Sequence, residues 1–120
     1  MALLLLLAAL VIPLGLDLYM PVPEENPLTV EKIELGRRLF NDRRLSRDNS
    51  VSCATCHDPQ RAFSVAQPVA IGIFGRHGSR NAPALLNRGY GRAFFWDGRV
   101  STLEEQVLRP IQDANEMDLT

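Results

Sequence analysis

The chain has 120 residues, which is enough for one small domain built around a single core. It contains 13 Lys and Arg against 14 Asp and Glu, so the formal net charge is -1 at pH 7. The arginines are spread along the chain without forming a basic block. This balance excludes the usual signals of a nucleic-acid partner or of a polybasic membrane contact.

An uncharged apolar stretch covers residues 2–16. Such a stretch is typical of the hydrophobic part of a secretory signal peptide or of a short signal anchor. It lacks a positively charged start and a clear cleavage site, so cleavage and retention as a membrane tether both stay open. A buried helix is disfavoured, because so short a chain could not cover it. We therefore expect an exported, periplasmic protein, either free or anchored to the inner membrane.

Residues 17–27 contain three prolines and are typical of an extended linker, which places the start of the domain near residue 28. The first helix is expected to follow Thr29, a good N-cap, because apolar residues then recur at three- and four-residue steps. It is expected to end near Asn41. A polar loop follows, and it leads to a short helix that begins close to Cys53.

A long segment, residues 58–90, is rich in Pro and Gly and shows no lasting apolar periodicity. Long irregular segments in compact domains commonly wrap a ligand or cofactor. A last helix is expected over about residues 102–109, since Ser101 and Glu104 match a capping box and Pro110 should stop the helix.

The two cysteines of the chain form the motif Cys53-Ala54-Thr55-Cys56-His57. Both thiols can add to the vinyl groups of one haem, while the adjacent imidazole binds the iron as proximal ligand. A thioredoxin-like dithiol or a structural disulfide leaves the histidine unexplained, and zinc would need more ligands than His77 alone offers. The motif predicts haem c in a mainly α, cytochrome c-like helical domain, wrapped around one covalent haem with long irregular loops.

The sixth coordination position of such a haem decides between an electron carrier and an enzyme. A carrier fills the position with Met or His, and Met117 lies where a small monohaem cytochrome often places its axial methionine. A catalytic haem leaves the position open. From the residues alone, a monohaem electron-transfer cytochrome, an enzyme and a dithiol domain without haem all stay possible.

Several segments carry a resemblance to a known family. They are Leu35 to Phe40, Ser52 to Pro59, Arg80 to Pro83, Phe95 to Arg99, Glu105-Gln106, and Asn115 to Met117. In this register, from about Leu28 onward, the chain resembles the bacterial di-haem cytochrome c peroxidase and MauG family. The resemblance implies an N-terminal domain with the peroxide-reactive haem, followed in the family by a second haem domain that receives electrons. Only one attachment motif is present, so we expect residues 28–120 to be the first domain, truncated before the second.

The resemblance also implies roles for individual residues. The distal Gln and Glu of the family fall on Gln106 and Glu116, its tryptophan between the haems falls on Trp96, and a residue that helps to hold calcium between the domains falls on Asn81. Glu116 would carry a proton between the two peroxide oxygens, and Gln106 would orient the peroxide. His57 would donate electron density through the iron, and Trp96 offers a π system for electron transfer.

Each of these residues also has an ordinary structural explanation. Gln106 could be a solvated helix residue, Glu116 a surface loop charge and Trp96 a core aromatic. Without the family register, these explanations would be preferred.

One position departs from the family pattern. Many of its peroxidases carry a distal histidine directly after an Ile-Gly dipeptide, whereas here Ile71-Gly72 is followed by Ile73 and Phe74. We expect a five-coordinate haem that is open in the oxidised state, as in MauG-type enzymes. The alternative is that His77 takes the place of the missing ligand.

The expected function is reduction of hydrogen peroxide to water. The electrons would come from the second haem and a small periplasmic donor, such as a cytochrome c or a copper protein. The alternatives are the monohaem carrier with Met117 as axial ligand and MauG-like oxidation of a protein substrate. Since each peroxide needs two electrons, one haem by itself need not support turnover.

Overall fold

The computed structural model describes residues 12–120, and over that range its regular elements are helices, without a β-strand. The α-helices are α1 (Val30–Asn41), α2 (Cys53–Cys56) and α3 (Leu103–Gln112). Single 3-10 turns occur at Arg43–Leu45, Pro59–Arg61, Ile73–Gly75 and Arg88–Tyr90. The mainly helical class is confirmed. Most of the apolar stretch at residues 2–16 lies outside the described residues, and no helix within residues 12–120 is both long and apolar enough to cross a membrane.

Helix α1 has the predicted boundaries. The Thr29 hydroxyl accepts a hydrogen bond from Lys32 N at 3.2 Å, and the helix ends at Asn41. It packs against α2, and the rings of Phe40 and Phe63 form a T-shaped pair with centroids 6.0 Å apart. No residue of α1 is buried, so the helix is only partly covered by the rest of the chain.

Helix α3 corrects two details of the sequence prediction. Its N-cap is Thr102, one residue later than the predicted Ser101, and the Thr102 hydroxyl accepts from Glu105 N at 3.2 Å. Pro110 does not stop the helix, which continues to Gln112. A proline removes only one N–H donor, so a single turn beyond it can persist where other contacts support it.

The chain that follows α3 supplies those contacts. Pro110 O accepts from Met117 N at 3.2 Å, and Ile111 O accepts from Leu119 N at 2.8 Å. Carbonyls in the last turn of a helix have no partner within the helix, so these bonds satisfy groups that would otherwise need water. Residues 113–119 therefore lie folded back against the end of α3.

The core of the domain is small. Val51, Ile73 and Met117 form its buried cluster, with Leu45 and Ile111 partly buried beside them. These residues come from the loop before α2, from the 3-10 turn at Ile73 and from the chain after α3. The core thus joins the three segments that flank the cysteine motif.

The proline-containing segment 17–27 lies along the domain. Tyr90 Oη donates to Asp17 O at 2.9 Å, and Asn26 Nδ2 donates to Glu104 Oε1 at 3.2 Å. Met20 lies against Gly89, where an added Cβ would be 2.5 Å from its sulfur. The segment has contacts of its own with the domain, and the division at residue 28 stays a prediction.

Candidate active site

Helix α2 is a single turn that places the two cysteines at its first and last residues. Ser52 N donates to Thr55 Oγ1 at 2.9 Å, and His57 N donates to Cys53 O at 2.9 Å, so hydrogen bonds define both ends. Residues three apart in a helix lie on the same face. Cys53 and Cys56 are free thiols, and burial raises the pKa of each. The turn therefore presents two thiols and, directly after them, an imidazole.

The imidazole of His57 is oriented by a backbone carbonyl. Its Nδ1 lies 3.1 Å from Phe63 O, and because a carbonyl only accepts, Nδ1 carries the proton. Burial lowers the pKa of His57, and the carbonyls of Phe63 and Pro83 oppose that shift less strongly. The result is a neutral ring with Nε2 free of the proton. This is the state that a histidine needs to bind haem iron, so the motif fits the group.

A tight turn brings the Phe63 carbonyl to His57. Ala62 and Phe63 both adopt left-handed backbone angles, with φ of 55° and 57°. Asp58 N donates to Ser64 O at 3.0 Å, and Phe63 N donates to Asp58 O at 2.8 Å, which closes the turn. Two successive non-glycine residues at positive φ are unfavourable. The turn is thus energetically unfavourable, and it orients His57.

The structure brings the loop at Ile71 to Cys56. The Cys56 thiol lies 3.8 Å from Ile71 O, as a weak hydrogen bond. The next residue, Gly72, is pressed so closely onto the chain after α3 that an added Cβ would overlap Asn115 O and lie 2.6 Å from Glu116 Cα. Only glycine allows this approach.

Glu116 is held at this same place. Its backbone oxygen accepts from Ile73 N at 2.9 Å, and its carboxylate lies close enough to add to the effect of burial in raising the pKa of the Cys56 thiol. The pKa of Glu116 is itself raised above 4.5, first by burial and then by Asp113, while Arg99 opposes the shift. Glu116 is therefore a partly buried carboxyl and not a fully solvated charge. A carboxyl with a raised pKa is suited to proton transfer.

Gln106 lies partly buried on α3, ten residues before Glu116. Because the chain after α3 folds back onto the helix, both residues belong to one hairpin-like unit.

Trp96 and Asn81 lie together. The indole Nε1 of Trp96 donates to Asn81 O at 2.8 Å, and Asn81 Nδ2 donates to Gln67 O at 2.7 Å. Trp96 is 63% exposed, so it is not a core aromatic. Within residues 12–120 no group of three or more His, Cys, Asp or Glu side chains could hold a metal ion, and a calcium role for Asn81 stays a prediction.

The candidates for a sixth haem ligand lie in different surroundings. Met117 is 4% exposed and packs with Val51 and Ile73 in the core. Ile73, at the family's ligand position, is fully buried in the same cluster. His77 is exposed and pairs with Ile71 across an isolated antiparallel bridge.

One cluster beside Glu116 was missed by the sequence analysis. The Asp118 carboxylate lies 3.2 Å from Arg47 Nη1 and 3.3 Å from Arg76 Nη1. Nothing in the sequence marks these three residues, because arginines occur throughout the chain and the partners are far apart along it.

Comparison with known proteins identifies relatives of this chain. A model described as di-haem cytochrome c peroxidase matches residues 30–120. The methylamine utilization protein MauG of Methylorubrum extorquens is 47% identical over 100 residues, covering 83% of this chain and 28% of its own length. The cytochrome c551 peroxidase of Pseudomonas aeruginosa is 38% identical over 109 residues, covering 86% of this chain and 32% of its own length.

The chain belongs to the di-haem cytochrome c peroxidase family. Solved structures agree with this. A MauG-like protein associated with microbial copper homeostasis superposes with a TM-score of 0.80 at 39% identity, over 90% of this chain and 33% of that one. The diheme peroxidase BthA of Burkholderia thailandensis gives 0.72 at 35% identity, over 77% of this chain and 27% of that one.

Membership of the di-haem cytochrome c peroxidase family makes haem c the expected cofactor class and makes the chain part of an oxidoreductase family. The chain spans about a third or less of the length of the relatives named above. The assignment of single residues to attachment, catalysis and calcium binding stays a prediction.

Proposed function

We propose that this chain is the peroxide-reducing haem domain of a periplasmic di-haem peroxidase, with haem c attached through Cys53 and Cys56 and bound by His57. Hydrogen peroxide takes up two electrons and two protons and leaves as two waters. The observation that carries the proposal is the position of Glu116, a partly buried carboxyl residue whose backbone is held by Ile73 N and packed against Gly72, beside the loop that contacts Cys56.

Haem c supplies, when bound, the iron that receives the peroxide and delivers electrons to it. Glu116 takes the proton from one peroxide oxygen and gives it to the other, so that the leaving group is water. Gln106 hydrogen-bonds to the peroxide and orients it. His57 is oriented by Phe63 O, which accepts from its Nδ1, and burial favours the neutral form of its ring by lowering its pKa. Electrons arrive from a second haem domain and, before it, from a small periplasmic cytochrome c or copper protein.

The exposed side of the site suits the contact with that second domain. Trp96 presents a large aromatic surface, and its indole is fixed by the Asn81 backbone. In the proposal Trp96 conducts electrons between the haems. Asn81 contributes an oxygen to a calcium ion at the junction of the domains, since calcium prefers oxygen ligands of this kind.

Of the two alternative functions, the monohaem carrier has less support from the geometry. A monohaem carrier requires Met117 to reach the iron, and Met117 is packed in the core with Val51 and Ile73. MauG-like oxidation of a protein substrate uses the same open haem, so it differs from the proposal in its substrate and not in the residues at the iron. The apolar stretch at residues 2–16 serves export in either case, with or without retention as a tether.

The proposal is tested on the full chain produced in a periplasm with a cytochrome c maturation system. The oxidised protein is expected to give a high-spin signal in optical and electron paramagnetic resonance spectra, and to change its spectrum when peroxide is added. A low-spin signal would contradict the open haem, and its loss on replacing His77 or Met117 would identify the ligand.

Glu116→Gln provides the decisive variant. It keeps the shape of the side chain but cannot exchange a proton, so the rate of the peroxide-induced spectral change should fall by about 100-fold or more. Glu25→Gln, an exposed carboxylate in the segment before α1, is the matched control and should react like the unmodified protein. A Glu116→Gln variant that keeps the full rate would remove Glu116 from the mechanism.

A further inference from the structure

The buried carboxylate of Asp118, two residues after Glu116, pairs with arginines from two other loops. Its Oδ2 lies 3.2 Å from Arg47 Nη1 and 3.3 Å from Arg76 Nη1. The Asp118 side chain is only 11% exposed. A carboxylate so far removed from water is retained where cations replace its lost hydration. The two arginines therefore hold the Asp118 carboxylate in place.

The backbone at Asp118 indicates that this position is held under strain. Its φ is +50°, in the left-handed region that non-glycine residues rarely adopt. Such a conformation persists where the surroundings determine it. Here Asp118 N donates to Asp113 O at 3.0 Å, and Arg76 Nη1 donates to Ala114 O at 2.6 Å as well as to Asp118. One guanidinium thus holds the chain on both sides of Glu116.

Backbone hydrogen bonds extend the same connection. Arg47 N donates to Met117 O at 2.9 Å, and Ile73 N donates to Glu116 O at 2.9 Å. Arg47 belongs to the loop that leads into α2, and Arg76 belongs to the loop that contacts Cys56 through Ile71. The Asp118 cluster therefore ties Glu116 to the two loops that flank the cysteine motif.

We propose that Asp118, acting through Arg76 and Arg47, is a positioning residue that fixes the Glu116 carboxyl against the haem site for proton transfer to peroxide. Asp118 does not itself touch the peroxide. The inference rests on the proposed function, because it assigns Glu116 the proton transfer. It follows that loss of the Asp118 charge should slow the peroxide reaction while leaving the attachment of haem intact.

The test uses the haem-loaded full chain and the rate of its spectral change with hydrogen peroxide, measured by stopped flow. Asp118→Asn keeps the size of the side chain and removes its charge, and the rate is expected to fall about tenfold, since small misplacements of a reacting group are costly. Glu34→Gln is the matched control, because Glu34 also pairs with two arginines, Arg37 and Arg38, but on an exposed face of α1. It should leave the rate unchanged.

Two further measurements separate positioning from general structural damage. In a Glu116→Gln background, Asp118→Asn should cause no additional loss of rate, because its effect passes through Glu116. Hydrogen exchange of the amides in residues 113–118 should become faster in Asp118→Asn and stay unchanged in Glu34→Gln. Arg76→Lys keeps the charge but replaces the guanidinium that bonds both Ala114 and Asp118 with an ammonium on a shorter side chain. It should give an intermediate rate and serves if Asp118→Asn does not fold.

The outcomes are distinct. A wild-type rate in fully loaded Asp118→Asn, or in Arg76→Lys if only that variant folds, overturns the inference and leaves the proposed function intact. An equal loss with and without Glu116 also overturns it. A wild-type chain that carries haem but does not respond to peroxide overturns the proposed function and the inference with it.

Discussion

Two residues of the candidate site, Glu116 and Trp96, lie in opposite surroundings. Glu116 is enclosed by its own chain, with Ile73 N bonded to its backbone oxygen and Gly72 pressed against its Cα. Trp96 is 63% exposed, with its indole bonded to the Asn81 carbonyl. A partly buried carboxyl loses some of its hydration, and an exposed indole leaves apolar surface in water, so neither arrangement favours the stability of this chain.

This difference distinguishes a side chain that the chain positions by itself, Glu116, from one that is left for another protein surface to cover, Trp96. Proton transfer requires a carboxyl at a fixed distance from the haem, and the loops around Glu116 are built within the chain. Tryptophan is enriched at protein interfaces, so the exposed Trp96 suits a residue that another protein surface covers. This agrees with the proposal that a second haem domain meets the chain at Trp96.

Removal of both thiols should have the largest effect, because it eliminates the haem attachment on which the proposed roles of Glu116 and Trp96 both depend. In Cys53→Ala combined with Cys56→Ala, no thioether can form, and haem should be absent from the denatured protein on a haem-stained gel. Thr55→Ser, between the two cysteines, keeps the hydroxyl that accepts from Ser52 N and should retain the stain. A stained band in the double variant would refute covalent attachment through these residues.

The next largest effect concerns how the rate of the peroxide response depends on pH through Glu116. In the proposed mechanism Glu116 must be ionised to accept the first proton, and its pKa is raised by burial, with Asp113 adding to the shift. The rate of the peroxide response should therefore fall as the pH is lowered, with a midpoint above the ordinary pKa of a glutamate. Rates from pH 4 to 8 would show it, and Glu116→Gln should lose this dependence. A midpoint at or below the ordinary pKa of a glutamate would contradict the partly buried carboxyl.

Gly72→Ala tests the close packing behind Glu116. The added Cβ would overlap Asn115 O and come within 2.6 Å of Glu116 Cα, so the free energy of unfolding should fall by about 1–3 kcal/mol. Gly36→Ala, on α1 with nothing within 4 Å of the added Cβ, should instead stabilise by about 0.5–1 kcal/mol. Denaturant unfolding of the two variants measures both. Equal effects would mean that the contact at Gly72 is not as tight as described.

Trp96→Phe should have the smallest effect on stability. It loses one hydrogen bond at an exposed site, where water can replace the indole at Asn81 O, so the free energy of unfolding should change by about 0.5 kcal/mol or less. Haem attachment and the spectral response to peroxide should remain. A large loss of stability, measured by the same denaturant unfolding, would show that Trp96 supports the fold of this chain and would weaken its assignment to a domain contact.

The sequence predicts best those features that depend on neighbouring residues. Helix α1 was predicted with its cap because Thr29 and the apolar spacing are local signals. The end of α3 was not, since the helix passes Pro110 with the help of bonds from Met117 and Leu119. The strained turn that orients His57 through Phe63 O has no recognisable signal either, because the residues at positive φ are not glycines.

The candidate site likewise has features that depend on neighbouring residues and features that depend on contacts between distant ones. The cysteine motif is evident from five consecutive residues, whereas Glu116 and Gln106 were found only through the family register. The pairing of Asp118 with Arg47 and Arg76 joins residues that are 71 and 42 positions apart, and its geometry depends on the packing of three loops. No local pattern in the sequence could have indicated it.

Because the chain folds back onto α3, Gln106 and Glu116 should lose their positions together when the protein unfolds. Gln106 lies on the helix and Glu116 on the returning segment, and the bonds to Pro110 O and Ile111 O join the two. Hydrogen-bonded segments of this kind open as one cooperative unit. In the proposed mechanism, peroxide orientation and proton transfer should therefore fail at the same denaturant concentration, with no intermediate that keeps one and lacks the other.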